Sequence, residues 1–369
     1  MTVQHKRLKR LLKQMIDIYS PSGKEEEIID FLKGYLKRRG LPVRVMPVDE
    51  RRCNLIAGNL EADPRLALVG HLDTVPAYDL DRYACEEKGD VIQGLGAADM
   101  KGGCAAMIEA FTAWHDVGAL PSGAVLCLVV GEEETGDGAR QLMKELHFPW
   151  AVIGEPTGLT PCLRCFGYLE IEVATLGRRI HASVADPRQS PVATLLRKML
   201  RLIRYFEARR PDLAYNIRDL FSNRAGFAVP ERCEAWLDVH VPPHLAMGGI
   251  LSEIEDALNR ESDSPPAVQT EFTCRTIDAG YEIPEKGPVV AALRSIFEAR
   301  SIPWAPGAFR SHSDANQLWA SGVKAIVLGP GELSQAHTEE ESVSFSEVCR
   351  AAEIYLDLLK RMTRPEGCA

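Results

Sequence analysis

"AVLCLVVGEEETGDGAR", residues 124 to 140, decides the fold. Its apolar opening has neither the period of an amphipathic helix nor the alternation of a half-wet strand. It reads as a strand buried on both faces, as inside a parallel sheet. Glu132, Glu133 and Glu134 come directly after it. Adjacent like charges repel and burial sharpens the repulsion, so acids set where a core meets an edge ask for a purpose.

Outward from this stretch the pattern repeats. "RLALVG" (65–70), "WAVIG" (150–154) and "KAIVLG" (324–329) read as further buried strands. "SGKEEEIIDFLKGYLKRRG" (22–40) predicts a helix of about four turns, opened by a capping box from Ser22 to Glu25 and closed at Gly40. "MKGGCAAMIEAFTAWHD" (100–116) predicts another, whose early glycines imply close packing of its first turn. Helices alternating with buried strands predict an α/β fold with a largely parallel sheet. From Phe166 the texture changes. "GYLEIEVATLG" and "CEAWLDVHV" alternate as strands with one wet face do, on either side of the helical "SPVATLLRKMLRLIRYFEARR". A helix over about 247–260 and a strand in "AVQTEFTCRT" come next, so a smaller α+β domain, residues 166–277, is expected inside the α/β domain formed by 1–165 and 278–369.

Composition narrows the functions. A chain of 369 residues, 46% hydrophobic and 26% charged, has the length for two domains and the balance of a soluble globular protein. No apolar run reaches the length of a membrane span, so a membrane partner is not expected. The N-terminus "MTVQHKRLKRLLKQMIDIYSPSG" lacks an apolar core before a cleavage site, and Asp17 and Glu25 to Glu27 argue against a transit peptide; it reads as an amphipathic helix of a cytoplasmic protein. A net charge of −9 gives no field for nucleic acid. Ten cysteines, scattered from Cys53 to Cys368, are too sparse for a disulfide scaffold and read as free thiols. Cys162 and Cys165 in "CLRC" lack the second pair a zinc site needs, and read as two small residues near a strand start.

The chemistry lies just beyond the end of each buried strand. "LALVG" leads into His71 and Asp73, "AVLCLVVG" into the glutamates, "AVIG" into Glu155, and "AIVLGPGELSQA" into His337. Ligands of open α/β sheets sit beyond the carboxyl ends of the strands, so independent segments deliver acids and histidines to one rim. In "HLDT", strand alternation sets His71 and Asp73 on one side, where the Asp73 carboxylate would accept from one imidazole nitrogen and leave the other for a metal. Singly, each piece has a plainer reading: a satisfied strand-end histidine, Asp99 in "GLGAADMKGG" as a helix cap, Glu155 and His337 as loop residues. Together, two histidines and at least three carboxylates without a thiolate match a pair of borderline divalent metals. Such ions, roughly 3.5 to 4 Å apart, would activate a shared water while a further carboxylate takes its proton. One glutamate of the row is then a ligand and its neighbour an unligated base.

"VGHLDTVP", "GLGAADMKGG", "GEEETGDGA", "IGEPT", "GRRIHAS" and "SHSDANQL...GPG...AHTEEES", in that order, resemble the two-metal aminoacylase and carboxypeptidase family. That family includes acetylornithine and acetylcitrulline deacetylases, succinyl-diaminopimelate desuccinylase and glutamate carboxypeptidases. The motifs span about Ser20 to Val343, and "GPGELSQAHTEEESV" looks most like the acetylornithine and acetylcitrulline branch. The resemblance implies a three-layer catalytic domain with a ferredoxin-like lid and dimerisation domain inserted, and hence a homodimer. It implies that His71, Asp99 and Glu155 hold one metal, that Asp99, Glu133 and His337 hold the other, and that Glu132 is the base, the register being set by Gly138-Ala139. The alternative, Glu133 as base and Glu134 as ligand, needs a deletion in the loop after the row. Asp73 joins Glu132 as a catalytic residue, and His181 matches a histidine that polarises the scissile carbonyl in the partner's site. Zinc is the default metal, with cobalt or manganese as alternatives. Where family deacylases carry substrate-holding Asn and Arg around a proline, this chain has Phe227 and His240 about Pro230. A mostly neutral imidazole lacks the guanidinium fork. His240, Arg224 and Gly331 are the substrate-binding candidates. The expected activity is hydrolysis of an N-acyl amino acid; a dipeptidase or aminopeptidase, or a catalytically impaired metal- or ligand-binding member, are the alternatives.

Overall fold

The computed structural model describes residues 2–59, 63–116, 123–259 and 268–363. Cys368, Arg260 and Ala267 fall outside these ranges. The chain forms two compact units, one of Met1–Arg164, Ile283–Phe309 and Ser313–Ala369, the other of Cys165–Glu282 with Arg310–His312.

The first unit begins with helices α1 (His5–Asp17) and α2 (Glu26–Arg38), then strands β1 (Val43–Pro47), β2 (Cys53–Gly58) and β3 (Leu66–His71). Short strands β4 (Glu86–Lys88) and β5 (Val91–Gln93) precede helix α3 (Gly102–His115). Strand β6 (Ala124–Val129), helix α4 (Asp137–Glu145) and strands β7 (Trp150–Ile153) and β8 (Cys162–Cys165) complete its first part. The second unit holds β9 (Gly167–Leu176), α5 (Pro191–Arg209), β10 (Ala214–Ser222), β11 (Arg232–Val241), α6 (Met247–Leu258), β12 (Gln269–Asp278) and β13 (Tyr281–Glu282). The chain then returns with α7 (Pro288–Ala299), β14 (Gly307–Phe309), α8 (Asp314–Ala320), β15 (Lys324–Val327), β16 (Ser342–Ser344) and α9 (Phe345–Met362).

The strands predicted from unbroken apolar runs are the centre of the first unit's sheet, in the order β1-β2-β6-β3-β7-β15-β8. β3 pairs in parallel with both β6 and β7, and β7 with β15. Every residue of β3, β6 and β7 is buried, as parallel strands covered on both faces require. Helix α3 packs on β3 and β6 and against α1 and α9, while α4 covers β2 and β6, so the sheet lies between two helical layers. The glycine-rich start of α3 packs as expected: a Cβ on Gly103 would stand 2.1 Å from the carbonyl oxygen of Gly154. Cys162 and Cys165 are buried cysteines of β8, neither of them in a disulfide.

In the second unit an antiparallel sheet runs β10-β11-β9-β12. Leu169, Ile171, Leu195, Leu202, Leu237 and Ile254 belong to the core between this sheet and helices α5 and α6. The alternation of β9 predicts one wet face, but nearly all of it is buried, because it is a middle strand and its polar face is covered. Glu172, 6% exposed, accepts hydrogen bonds from Arg232 and Arg275 on the flanking strands. Strand β10 is invisible to periodicity, since it is a mostly exposed edge whose register shifts between Ile217 and Asp219.

The expected capping box is absent. α2 starts one residue after Glu25 with no side-chain cap, and Ser22 donates elsewhere. Glu25 is fully buried with neither carboxylate oxygen hydrogen-bonded, 3.7 Å from Arg52. Burial, reinforced by the nearby Asp73 charge, pushes its pKa up to about 7. A folded-state pKa raised above the unfolded one means that the native chain holds a proton the unfolded chain has lost, so this contribution is present below about pH 4.5 and is lost as pH rises towards 7. Glu25→Gln is therefore expected to raise the melting temperature relative to the parent at pH 8 and to leave it unchanged at pH 4.5, as differential scanning fluorimetry would record.

Candidate metal centre

Parallel pairing brings the predicted residues to one rim. His71 ends β3 opposite Val129 of β6, and Val69 lies opposite Ile153 of β7, so Glu132 and Glu155 emerge beside His71. His71 is 1% exposed. Its Nε2 lies 3.2 Å from Asp99 Oδ1, 3.7 Å from Glu155 Oε1 and 3.9 Å from Glu132 Oε2. His337 Nε2 lies 2.9 Å from Glu133 Oε2 and 3.5 Å from Asp99 Oδ2. Two donor sets result, His71 with Asp99 and Glu155, and Asp99 with Glu133 and His337; within each, the donor atoms lie within 4.8 Å of one another. Asp99 belongs to both and turns one oxygen to each histidine. It caps no helix, since α3 begins after Lys101 without a side-chain cap.

The glutamate row divides. Glu132 and Glu133 face the rim, whereas Glu134 is exposed. The turn closes on itself through Thr135 N–H and Gly136 N–H, which donate to Gly131 O at 3.0 and 2.7 Å. Gly131 adopts a φ of 74°, and a Cβ there would stand 2.2 Å from Asp137 Oδ1, so only glycine fits. His337 also has a positive φ, 58°, costly for a side chain of its size, and Tyr78 Oη donates to its carbonyl at 3.0 Å. Gly331, φ 85°, packs over Ala98, next to Asp99.

The pairing expected between His71 and the Asp73 carboxylate is not made. His71 Nδ1 faces the backbone oxygen of Asp73 at 3.0 Å, with the nearest carboxylate oxygen at 3.7 Å. That carboxylate is already engaged: Oδ1 accepts from Glu132 N–H at 3.2 Å, and Oδ2 accepts from Glu133 N–H at 3.0 Å and from Ser22 Oγ at 2.6 Å. A carbonyl serves as well as a carboxylate to fix the imidazole.

Electrostatically the rim is a cluster of acids short of cations. Burial raises the pKa of Glu132 well above the usual carboxylate range, raises Glu133, and takes Glu155 to about 8. His71, though burial opposes its charge, is raised by Glu155 and Asp99, and the hydrogen bond that His337 donates to Glu133 lifts His337 to about 9. Burial disfavours the Asp99 carboxylate, yet its contacts with His71 and His337 hold its pKa below the usual value. One buried oxygen of Glu133, Oε1, has no hydrogen-bond partner. Nitrogen and oxygen donors, an orphaned buried oxygen and mutually repelling acids fit divalent cations.

The remaining candidates lie in the second unit. His181 is exposed, its Nδ1 2.8 Å from Ser183 Oγ. Arg224 and Phe227 are exposed, the latter 89%. His240 stands 5.4 Å, centroid to centroid, from the Tyr168 ring; its Nδ1 is buried without a hydrogen-bond partner, and burial lowers its pKa.

Two buried acids escaped the sequence reading. Glu341, 2% exposed, accepts from the backbone N–H groups of Gly96, Ala98 and Asp99 at 2.8, 2.9 and 2.9 Å, and so holds the loop that presents Asp99. It stood in "AHTEEES" as part of a charge run, its spacing from His337 the available signal. Asp314, 2% exposed with Oδ2 unpartnered, is raised to about 7 by burial and adds to the rise at Glu132. It stood in "SHSDANQL" without an assigned role. Glu341→Ala is expected to weaken metal binding roughly 10–100-fold, as loss of a partner that orients a ligand does, with activity restored by excess metal; isothermal titration measures it.

A rim of this kind at the carboxyl ends of a parallel sheet belongs to the metal-dependent hydrolases of amide and peptide bonds. The chain belongs to peptidase family M20/M25/M40, whose model matches residues 67–361. Acetylornithine deacetylase of Klebsiella pneumoniae (strain 342) is 27% identical over 336 residues, covering 86% of this chain and 85% of that protein. Among solved structures, a tripeptidase from Staphylococcus aureus superposes with a TM-score of 0.82 at 20% identity, covering 99% of this chain and 100% of the other. A dinuclear metal-binding M20 peptidase of Bacillus subtilis gives 0.69 at 13% identity, covering 98% and 99%.

Proposed function

We propose that this chain hydrolyses the amide bond of an N-acyl amino acid, in the manner of acetylornithine and acetylcitrulline deacetylases, with Glu132 as general base. The observation that carries the reading is the division of the glutamate row: Glu133 belongs to a donor set, while Glu132 belongs to neither and stands beside His71. The deacetylase relatives match over most of their length, which favours an acylated amino acid. His71, Asp99 and Glu155 would hold one divalent ion, and Asp99, Glu133 and His337 a second, with zinc first and cobalt or manganese as alternatives. Such ions, when bound, supply Lewis acidity that polarises a carbonyl and acidifies water. Glu132 takes the proton from the attacking water and delivers it to the leaving amine. The second unit serves as lid and dimer surface, with His181 polarising the scissile carbonyl of a partner subunit's substrate. His240, Arg224 and Gly331 hold the rest of the substrate. A cytoplasmic homodimer acting on a small molecule is the corresponding setting.

A second reading, hydrolysis of short peptides, is favoured by the likeness to the Staphylococcus aureus tripeptidase and by a neutral His240 where deacylases carry a guanidinium. Turnover of acetylated and succinylated amino acids, dipeptides and tripeptides with added zinc, cobalt or manganese separates the two. Acetylornithine and acetylcitrulline are expected to react; a strict need for a free α-amine would transfer the assignment to a peptidase. Metal retention with no turnover across the panel would leave only an impaired binding member.

A further inference from the structure

Resting on the assignment of Glu132 and Glu133 as base and ligand, we propose that Ser22 is a positioning residue for the catalytic turn, acting through Asp73. Its sequence promises a helix cap, yet α2 has no side-chain cap and the hydroxyl goes instead to Asp73 Oδ2 at 2.6 Å. Asp73 is fully buried, and its two oxygens carry the backbone N–H groups of the two working glutamates, Oδ1 that of Glu132 and Oδ2 that of Glu133. Rotation of this carboxylate would move both groups together. The Ser22 hydroxyl is the side-chain donor that opposes such rotation.

The donor is itself anchored. The segment between α1 and α2 pairs with the end of β3 like a short added strand: Thr74 N–H donates to Ser20 O at 3.0 Å, Ser22 N–H to Thr74 O at 3.2 Å, and Pro21 bridges Thr74 in parallel. Ser20 Oγ donates to Leu72 O at 2.9 Å, and buried Lys101 Nζ to Ile18 O at 2.9 Å. Backbone and side-chain bonds thus fasten residues 18 to 22 to the stretch carrying Asp73 and to the start of α3. Ser22 is half-buried beside a cavity of about 300 Å³ lined also by Gly23, Arg52, Glu134 and Thr135, which leaves room for one added methyl group.

Loss of the hydroxyl should misplace the base and one ligand without touching substrate, so the chemical step suffers rather than ground-state binding. Ser22→Ala, as the zinc-loaded full chain, is expected to lose roughly tenfold in kcat with KM within about twofold. Its affinity for the second zinc ion, measured by chelator competition without any substrate, should fall roughly tenfold, and the visible spectrum of the cobalt-loaded protein should shift. Ser22→Thr, which keeps the donor, should recover both. Unchanged kcat and second-ion affinity in Ser22→Ala would overturn the proposal. So would a Ser22→Thr variant as impaired as Ser22→Ala, because the deficit would then track the disturbed segment rather than the missing donor. If the parent enzyme turns over nothing on the amide panel, the functional reading falls, while the metal-affinity comparison still decides the role of Ser22.

Discussion

Glu132→Gln is expected to lower kcat roughly 10³-fold while the protein keeps its metal and its fold. The amide keeps the size of the side chain and removes its proton affinity. Burial holds the Glu132 carboxyl ready to bind a proton, and Glu132 belongs to neither donor set, so its loss costs proton transfer and no ligand. Glu134→Gln is the matched control. That side chain is exposed, and its substitution should leave kcat within about twofold, the range of a surface change. Steady-state kinetics on the best substrate, beside metal content by mass spectrometry, checks both. If Glu134→Gln is the inactive variant and Glu132→Gln is active, the base and ligand stand one residue later in the row.

Asp99→Ala is expected to be as damaging by a different route. Asp99 offers Oδ1 towards His71 and Oδ2 towards His337, so one substitution removes a donor from both sets. Metal catalysis contributes several kcal/mol to the transition state, and about 1.4 kcal/mol corresponds to tenfold, so kcat/KM should fall by roughly 10³ or more. Excess metal should not restore it. That distinguishes it from Glu341→Ala, where all donors remain and only the loop holding Asp99 is loosened. Recovery of Asp99→Ala at high metal would show that Asp99 is not shared between two ions.

The elements that sequence made legible are those whose burial is local and complete. β3, β6, β7 and β15 are continuous apolar runs because helices cover both faces, and the residues after them inherit a place at the rim from parallel pairing. His71, Asp99, Glu132, Glu133, Glu155 and His337 are expected at one rim by that logic and by resemblance together, and the structure brings them side by side. Elements with weak periods were missed, as β10 shows: at an exposed edge little burial imposes a pattern, and a bulge breaks what remains. The hydrogen-bond partners of Asp73, Ser22 and Glu341 are illegible in sequence for another reason. Spacing reveals which side chains share a face, but not which backbone N–H a carboxylate will meet 59 or 242 residues away. Ser22 with Glu25 three residues on has the form of a capping box, yet Ser22 donates to Asp73 and Glu25 lies beside Arg52 instead.

Anomalous diffraction at the zinc edge from crystals of the zinc-loaded protein tests the central claim most directly. Two ions per chain are predicted, one among His71, Asp99 and Glu155 and the other among Asp99, Glu133 and His337, with Glu132 bound to neither. No ion at this rim, or a pair held by a different set of side chains without Asp99 between them, would contradict the account.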